Sequence, residues 1–171
     1  MPTLVVEDGT AKTNANTYAS VATADTYADD RGITSWTALT TTEKEVALIK
    51  GTDYLEATYR LAWRGFRKTA TQSLSWPRTD VEADGFTVES GIIPSAVVSA
   101  CIEAAIRASS ETMIEDQTQR VVREKVDVIE VEYAEFSDSQ KRFPAIERLI
   151  SPYLTSYSGG GGMAITSVVR T

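Results

Sequence analysis

The segment from Arg60 to Arg78 contains the residue types that most readily suggest chemistry. It carries five cations, no acidic residue and three interleaved aromatic residues. The cations are Arg60, Arg64, Arg67, Lys68 and Arg78, and the aromatic residues are Trp63, Phe66 and Trp76. Cations that contact phosphates, together with rings that stack on bases, are typical of single-stranded nucleic-acid binding. The alternative is that the tryptophans anchor a long loop in the core and the arginines pair with acidic residues, either of the same chain or of a neighbour.

A run of carboxylates between residues 124 and 138 is the second candidate. Its members are Glu124, Asp127, Glu130, Glu132, Glu135 and Asp138. Paired carboxylates can perform acid–base chemistry or bind metals, but this spacing lacks the central glycine and the final glutamate of a calcium loop. Glu130 and Glu132 alternate with apolar residues and are expected on the outward face of a strand, where a solvated acidic surface is the simpler interpretation.

The residue types that most enzymes need are scarce. The chain has no histidine and one cysteine, Cys101, so the commonest general base, metal ligand and nucleophile partner is missing. No glycine pattern of a phosphate-binding loop occurs. We therefore expect a protein that is not an enzyme and that uses no cofactor and no metal. The net charge of −7 also disfavours non-specific wrapping of nucleic acid.

The C-terminal residues form a third candidate site. Gly159–Gly162 predicts a flexible linker, and an apolar, β-branched stretch follows it. Such a stretch can add as a strand to the sheet of a partner, or it can fold back on the chain's own hairpin or remain disordered. The candidate docking residues are Met163, Ile165, Val168, Val169 and Arg170.

Two helices are predicted before these segments. Ser20 can cap a helix from Val21 to about Arg31, which Gly32 would follow. Thr42 has the spacing of a capping box with Glu45 and predicts a helix that ends near Tyr59. The buried stripe of this second helix is predicted from Val46, Ile49 and Leu55, with Ala47 and Tyr54 beside them.

The rest of the chain is predicted to complete a mainly α (α+β) fold. Residues 60–93 are expected to be irregular and anchored by Trp63, Phe66, Trp76 and Phe86. A proline opens each of two further helices, at Pro94 and Pro144, and the alternation between residues 119 and 133 predicts a β-hairpin. We thus expect a compact bundle of about four helices with a small hairpin in residues 1–155, and a linker with a docking strand in residues 156–171. No apolar run is long enough to span a bilayer, so no membrane contact is expected.

Many segments, in this order, resemble one bacteriophage family. They are Val5–Thr10, Ala15–Ser20, Ala24–Tyr27, Asp30–Gly32, Glu43–Glu45, Ala47–Leu55, Trp63–Gly65, Thr71–Arg78, Ile93–Pro94, Arg123–Val126, Ile129–Tyr133 and the linker Gly159–Gly162. The chain is similar along nearly its whole length to the head–tail connector (adaptor, head-completion) proteins of long-tailed phages. Relatives of that group are often labelled DnaT-like single-stranded-DNA-binding proteins.

The resemblance implies a structural protein of the virion neck, assembled in the cytoplasm of the bacterial host. Its partners would be further copies of itself in a ring of twelve, the portal protein, and the next neck, stopper or tail-terminator protein. Double-stranded DNA would pass through the lumen without specific binding, and Glu130 and Glu132 could line that channel, where like charge discourages adhesion. A DnaT-like replication accessory that binds single-stranded DNA through residues 60–78 is the alternative function.

Overall fold

The computed structural model describes residues 2–113, 123–126, 129–132 and 143–155. Across these residues the fold has five α-helices, one short 3-10 helix and three two-stranded antiparallel ladders. The helices are α1 (Val21–Asp29), α2 (Thr34–Thr37), α3 (Thr41–Tyr59), α4 (Ser95–Ala108) and α5 (Pro144–Ile150), with the 3-10 turn at Ser151–Tyr153. The strands are β1 (Phe66–Arg67), β2 (Arg78–Thr79), β3 (Val81–Ala83), β4 (Phe86–Val88), β5 (Arg123–Val126) and β6 (Ile129–Glu132). The predicted α+β class is confirmed.

Helices α3 and α4 form the centre of the core. They approach closely at Gly51, where a Cβ atom would lie 2.6 Å from the backbone nitrogen of Ala105. Alanines and the buried Cys101 line the facing side of α4, so no large side chain keeps the two helices apart. Because packing distance depends on the side chains at the contact, these small residues set the spacing of the two longest helices.

The buried face of α3 differs from the prediction. Val46 is 37% exposed and Ile49 is only half-buried. Leu55, Ala47 and Tyr54 are buried as expected. The other buried positions of the helix are Leu48, Gly51, Thr52 and Tyr59. The face is rotated because Gly51 and Thr52, which a hydrophobicity pattern leaves out, make the contact with α4.

The caps of α1 and α3 show one confirmed prediction and one wrong one. The Ser20 hydroxyl accepts a hydrogen bond from the Thr23 amide at 3.0 Å, as predicted for α1. The capping box of α3 is formed by Thr40 and Glu43 rather than by Thr42 and Glu45. Both pairs have the same spacing, and the helix begins at the earlier pair, which leaves Thr42 inside the first turn.

Residues 60–93 contain two small hairpins rather than an irregular loop. β1 pairs with β2 and β3 pairs with β4. Trp63 and Trp76 are buried anchors as predicted, but Phe66 and Phe86 are 70% and 77% exposed. Ladders of two and three residues offer too little neighbouring surface to cover a phenylalanine ring.

The remaining helices and the third hairpin agree with the sequence. α5 begins at Pro144 as predicted, whereas α4 begins at Ser95, because Pro94 occupies the N-cap rather than the predicted first helical position. β5 and β6 pair in antiparallel register, so the predicted hairpin is confirmed. Within the described ranges, no helix combines the length and the apolar character that a membrane crossing needs.

Candidate interaction surface at the basic aromatic segment

The two tryptophans of the basic segment belong to a chain of edge-to-face aromatic contacts. Trp63 packs against Tyr59 and Trp76 with ring centroids 6.2 and 5.8 Å apart, and Trp76 continues to Tyr153 at 5.8 Å. Tyr54 extends the chain at its other end. Since Trp63 is 3% exposed and Trp76 is fully buried, neither ring is accessible for stacking on a base.

Arg78 is the most buried cation of the segment. Its guanidinium donates to the carbonyl oxygens of Arg64 and Gly65 at 2.7 Å each, to that of Ser75 at 3.1 Å and to that of Trp63 at 3.5 Å. Burial lowers the pKa of this guanidinium from its usual value. The five donors of an arginine fork match this cluster of carbonyls, so Arg78 organises the turns around β1 and β2.

Three further cations also bind backbone carbonyls. Arg64 donates from Nε to the carbonyl of Leu154 at 2.9 Å and from Nη1 to that of Glu82 at 3.0 Å. Arg67 donates to the carbonyl of Gln72, and Lys68 donates to that of Gly9 at 3.0 Å. These side chains therefore join the segment to the C-terminal 3-10 turn, to β3 and to the N-terminal loop.

Pairing of the segment's arginines with carboxylates of the same chain, one form of the alternative, is not found in the described parts of the chain. The ion pairs there are Lys12–Asp8, Lys44–Asp25 and Arg107–Glu103, and none includes a cation of the segment. A carbonyl carries a dipole but no net charge, so these hydrogen bonds leave the charge of the segment in place, and the Glu56 carboxylate acts on Arg78 from beyond ion-pair distance. The predicted reversal of charge therefore persists at this part of the molecule.

Exposed apolar residues accompany these cations. Leu61 is 97% exposed and directly follows the exposed Arg60 at the end of α3. Phe66 on β1 and Phe86 on β4 are the other large exposed apolar residues of this region. We call Arg60, Leu61, Phe66 and Phe86 the exposed apolar–basic set. Tyrosine, phenylalanine and arginine are enriched in the buried centres of protein interfaces.

Glu56 on α3 is an organising residue that the sequence did not reveal. Its carboxylate accepts hydrogen bonds from the Tyr18 hydroxyl at 2.5 Å and from the Ser75 amide and hydroxyl at 3.0 and 2.7 Å. The Tyr18 hydroxyl in turn accepts from the Trp76 amide at 3.1 Å. Burial and the neighbouring carboxylate raise the pKa of Tyr18 well above its usual value. The sequence gives one sign of this role, which is that the acidic Glu56 directly follows Leu55 on the buried side of the helix.

The acidic candidates lie on β6. The register places Glu130 opposite Lys125 and Glu132 opposite Arg123 on β5. Each of these acidic positions is thus directly opposite a basic one. The same pairing can be read from the sequence if residues 127 and 128 are taken as the connection between the strands. The tail candidates Met163, Ile165, Val168, Val169 and Arg170 lie outside the described residues.

The described portion of the chain contains no group of three or more potential metal-ligating side chains. Cys101 is fully buried, with its sulfur 3.2 Å from the Thr52 hydroxyl and 3.8 Å from that of Thr17. Burial raises the pKa of the thiol, so the reactive thiolate is disfavoured. Cys101 therefore acts as a packing residue between α3, α4 and the segment before α1.

The comparisons with known proteins give one match. No curated protein and no solved structure matches the chain. A family model does match, over residues 2–171, and its description is "Putative DnaT-like ssDNA binding protein". Because this match covers nearly all of the 171 residues, the chain belongs to the family that carries this description.

Proposed function

We propose that the chain is a non-catalytic subunit of a head–tail connector in a tailed bacteriophage. Twelve copies would form a ring below the portal, extend the DNA channel and join the capsid to the next neck or tail protein. The resemblance of ordered segments along nearly the whole chain is the first support for this proposal. The connector proposal differs from the family description, which names single-stranded-DNA binding.

The main support for the proposal is that the tryptophans and one arginine of the basic segment stabilise the fold. A binder of single-stranded DNA needs rings on which bases can stack and cations that can follow the phosphates. Here Trp63 and Trp76 lie in the core, and Arg78 is fixed on backbone carbonyls. What reaches the surface is the exposed apolar–basic set together with the exposed cations Arg64 and Lys68, and this combination suits contact with an acidic protein surface.

The β5–β6 hairpin and the C-terminal residues have natural places in such a ring. Glu130 and Glu132 on β6 would face the channel together with Lys125 and Arg123, the positions opposite them on β5, so this face would carry balanced charge and offer DNA no net attraction. The apolar residues after the glycine linker would dock on the portal or on an adjacent subunit. Deletion of residues 163–171 is expected to leave the unfolding transition unchanged and to abolish assembly on portal particles. Normal assembly of the deleted chain would contradict this part of the proposal.

Single-stranded DNA binding is the second candidate, and two observations favour it. The family description names this activity, and the cations of the segment have no carboxylate partners in the described residues. In this case Arg60, Arg64 and Lys68 would contact phosphates, and Phe66 would be the accessible ring.

Two measurements on the purified chain separate the candidates. Light scattering and negative-stain microscopy, alone and with portal particles, should show rings if the connector proposal is correct. Fluorescence anisotropy with a labelled oligonucleotide, over a series of salt concentrations, should then show only weak binding. A monomer that binds the oligonucleotide tightly, with an affinity that falls steeply with salt, would overturn the connector proposal.

The variants for this test must leave the fold intact. Replacement of Arg64 or Arg67 removes hydrogen bonds to backbone carbonyls, so a loss of binding would not distinguish contact from misfolding. Arg60→Ala changes an exposed side chain at the end of α3. Arg148→Ala, also exposed on a helix, is the matched control. If DNA binding is the function, Arg60→Ala should lower the salt slope by about one, whereas Arg148→Ala should not.

A further inference from the structure

A groove of about 900 Å³ lies between α1 and the N-terminal half of α4. Tyr27, Ile93 and Val98 contribute half-buried apolar surface, and Ile102 is buried beneath them. Ile92, in the loop before α4, is 47% exposed and belongs to the same groove. The fold therefore leaves apolar surface uncovered at a site distant in sequence from the basic segment.

We propose that this groove binds the C-terminal segment, residues 163–170, of a second copy of the chain. This inference rests on the proposed ring, because a ring needs a contact that repeats between neighbouring copies. Exchange of a terminal segment between copies supplies a head-to-tail contact that can close such a ring. In this arrangement the groove is the surface that accepts the C-terminal docking residues.

The chemistry of the segment matches the groove. Ile165, Val168 and Val169 are β-branched, which favours an extended conformation, and their side chains would cover Ile92 and Val98. An extended peptide also needs partners for its backbone groups. The hydroxyls of Ser95 and Ser99 at the groove can provide them.

Charge gives the segment a direction in the groove. Asp29 and Asp30 end α1, where carboxylates are unfavourable because the C-terminal end of a helix is negative. Neither takes part in an ion pair among the described residues, and Asp30 lines the groove. Arg31 also lines the groove, but its guanidinium lies 3.5 Å from the centroid of the Tyr27 ring and donates to the Tyr27 carbonyl rather than pairing with Asp30. Arg170, which directly follows the apolar residues, would place its guanidinium beside Asp30 and offset the repulsion.

The connecting chain is long enough to reach a neighbour. The Thr155 amide donates to the carbonyl of Ala62 at 2.7 Å, so the segment starts from a fixed point near the end of α3. Nine residues lie between Thr155 and Ile165, so the ten steps from one Cα to the other span up to about 35 Å when extended. A compact domain of this length has a radius of gyration of about 15 Å, so the segment can leave its own subunit.

Disulfide trapping in the full-length chain tests the contact. Chains with Ile92→Cys and chains with Val168→Cys are mixed, oxidised and separated on non-reducing gels. Cys101 is fully buried and can stay in place. The control replaces Ile92→Cys by Val46→Cys, at an apolar position of α3 that is 37% exposed but lies outside the groove. We expect the groove pair to cross-link at least about tenfold faster, because docking raises the effective thiol concentration to the millimolar range.

A charge swap checks the direction. Asp30→Arg should slow cross-linking of the groove pair, and Arg170→Asp in the partner chain should restore it. Equal rates for the groove pair and the Val46 control would overturn the proposal. So would cross-linking confined within single chains that carry both Ile92→Cys and Val168→Cys. Light scattering on the same samples reports ring formation separately: rings without groove cross-links refute only this inference, and monomers throughout refute the proposed ring as well.

Discussion

Replacement of Arg78 tests whether the basic segment serves the fold. Arg78→Ala leaves the carbonyls of Arg64, Gly65 and Ser75 without their donor, and two of these lost hydrogen bonds are 2.7 Å long. A hydrogen bond to a charged group contributes about 1.5–3 kcal/mol. Arg78 is 7% exposed, so water can solvate part of the vacated site. We therefore expect the free energy of unfolding to fall by about 3–5 kcal/mol.

Urea unfolding followed by tryptophan fluorescence measures this loss, because all three tryptophans are buried in the folded chain. Arg78→Lys is the informative partner variant, since it keeps the charge but cannot present a fork of five donors. It should recover only a minor part of the loss. Arg60→Ala, at an exposed site, should change the free energy by less than about 0.5 kcal/mol. A loss below about 1 kcal/mol for Arg78→Ala, or full recovery by lysine, would refute the structural role.

Four further predictions concern the body of the fold. Gly51→Ala should lower the free energy of unfolding by about 2 kcal/mol in urea titrations, because the clash with the Ala105 backbone outweighs the gain in helix propensity. Gly32→Ala, at φ 63° with nothing within 4 Å, should cost only about 1 kcal/mol. Thr40→Ala should cost about 1 kcal/mol in the same titration while Thr42→Ala is nearly neutral, and the reverse order would contradict the capping box observed at Thr40. Because burial raises the pKa values of Cys101 and Tyr18, the folded state keeps protons that the unfolded chain loses, so the urea midpoint should fall as pH rises above about 8.5.

The helices of this protein could be predicted from the sequence because the residues that mark them are local. Ser20, Pro94 and Pro144 mark helix starts through the chemistry of one or two residues, and each helix begins within one residue of its marker. The wrong cap on α3 has the same origin, since Thr40 and Thr42 both precede a glutamate at the required spacing. Local signals predict that a helix starts, but they do not choose between two equivalent starts.

The candidate site depended on contacts that the sequence does not contain. Arg78 meets carbonyls from residues 3 to 15 positions away, and Arg64 reaches Leu154 across 90 positions. A backbone carbonyl is available at every residue, so composition cannot show which arginine will use one. The prediction of carboxylate partners suited an acidic chain, yet turns around two short hairpins expose many carbonyls, and the nearby carboxylate of Glu56 accepts its hydrogen bonds from Tyr18 and Ser75 instead.

Fixed cations have a consequence for the choice between the two proposed functions. An arginine held on carbonyls keeps its charge but loses the freedom to follow a mobile phosphate backbone. Binding to a preformed acidic surface profits from this, because side chains that are already ordered lose less entropy on association. Single-stranded DNA, whose phosphates can adopt many arrangements, gains less from a rigid pattern of charge. The hydrogen bonds of Arg64 and Lys68 therefore favour a folded partner with acidic residues, as a neighbouring ring subunit of this acidic chain would be.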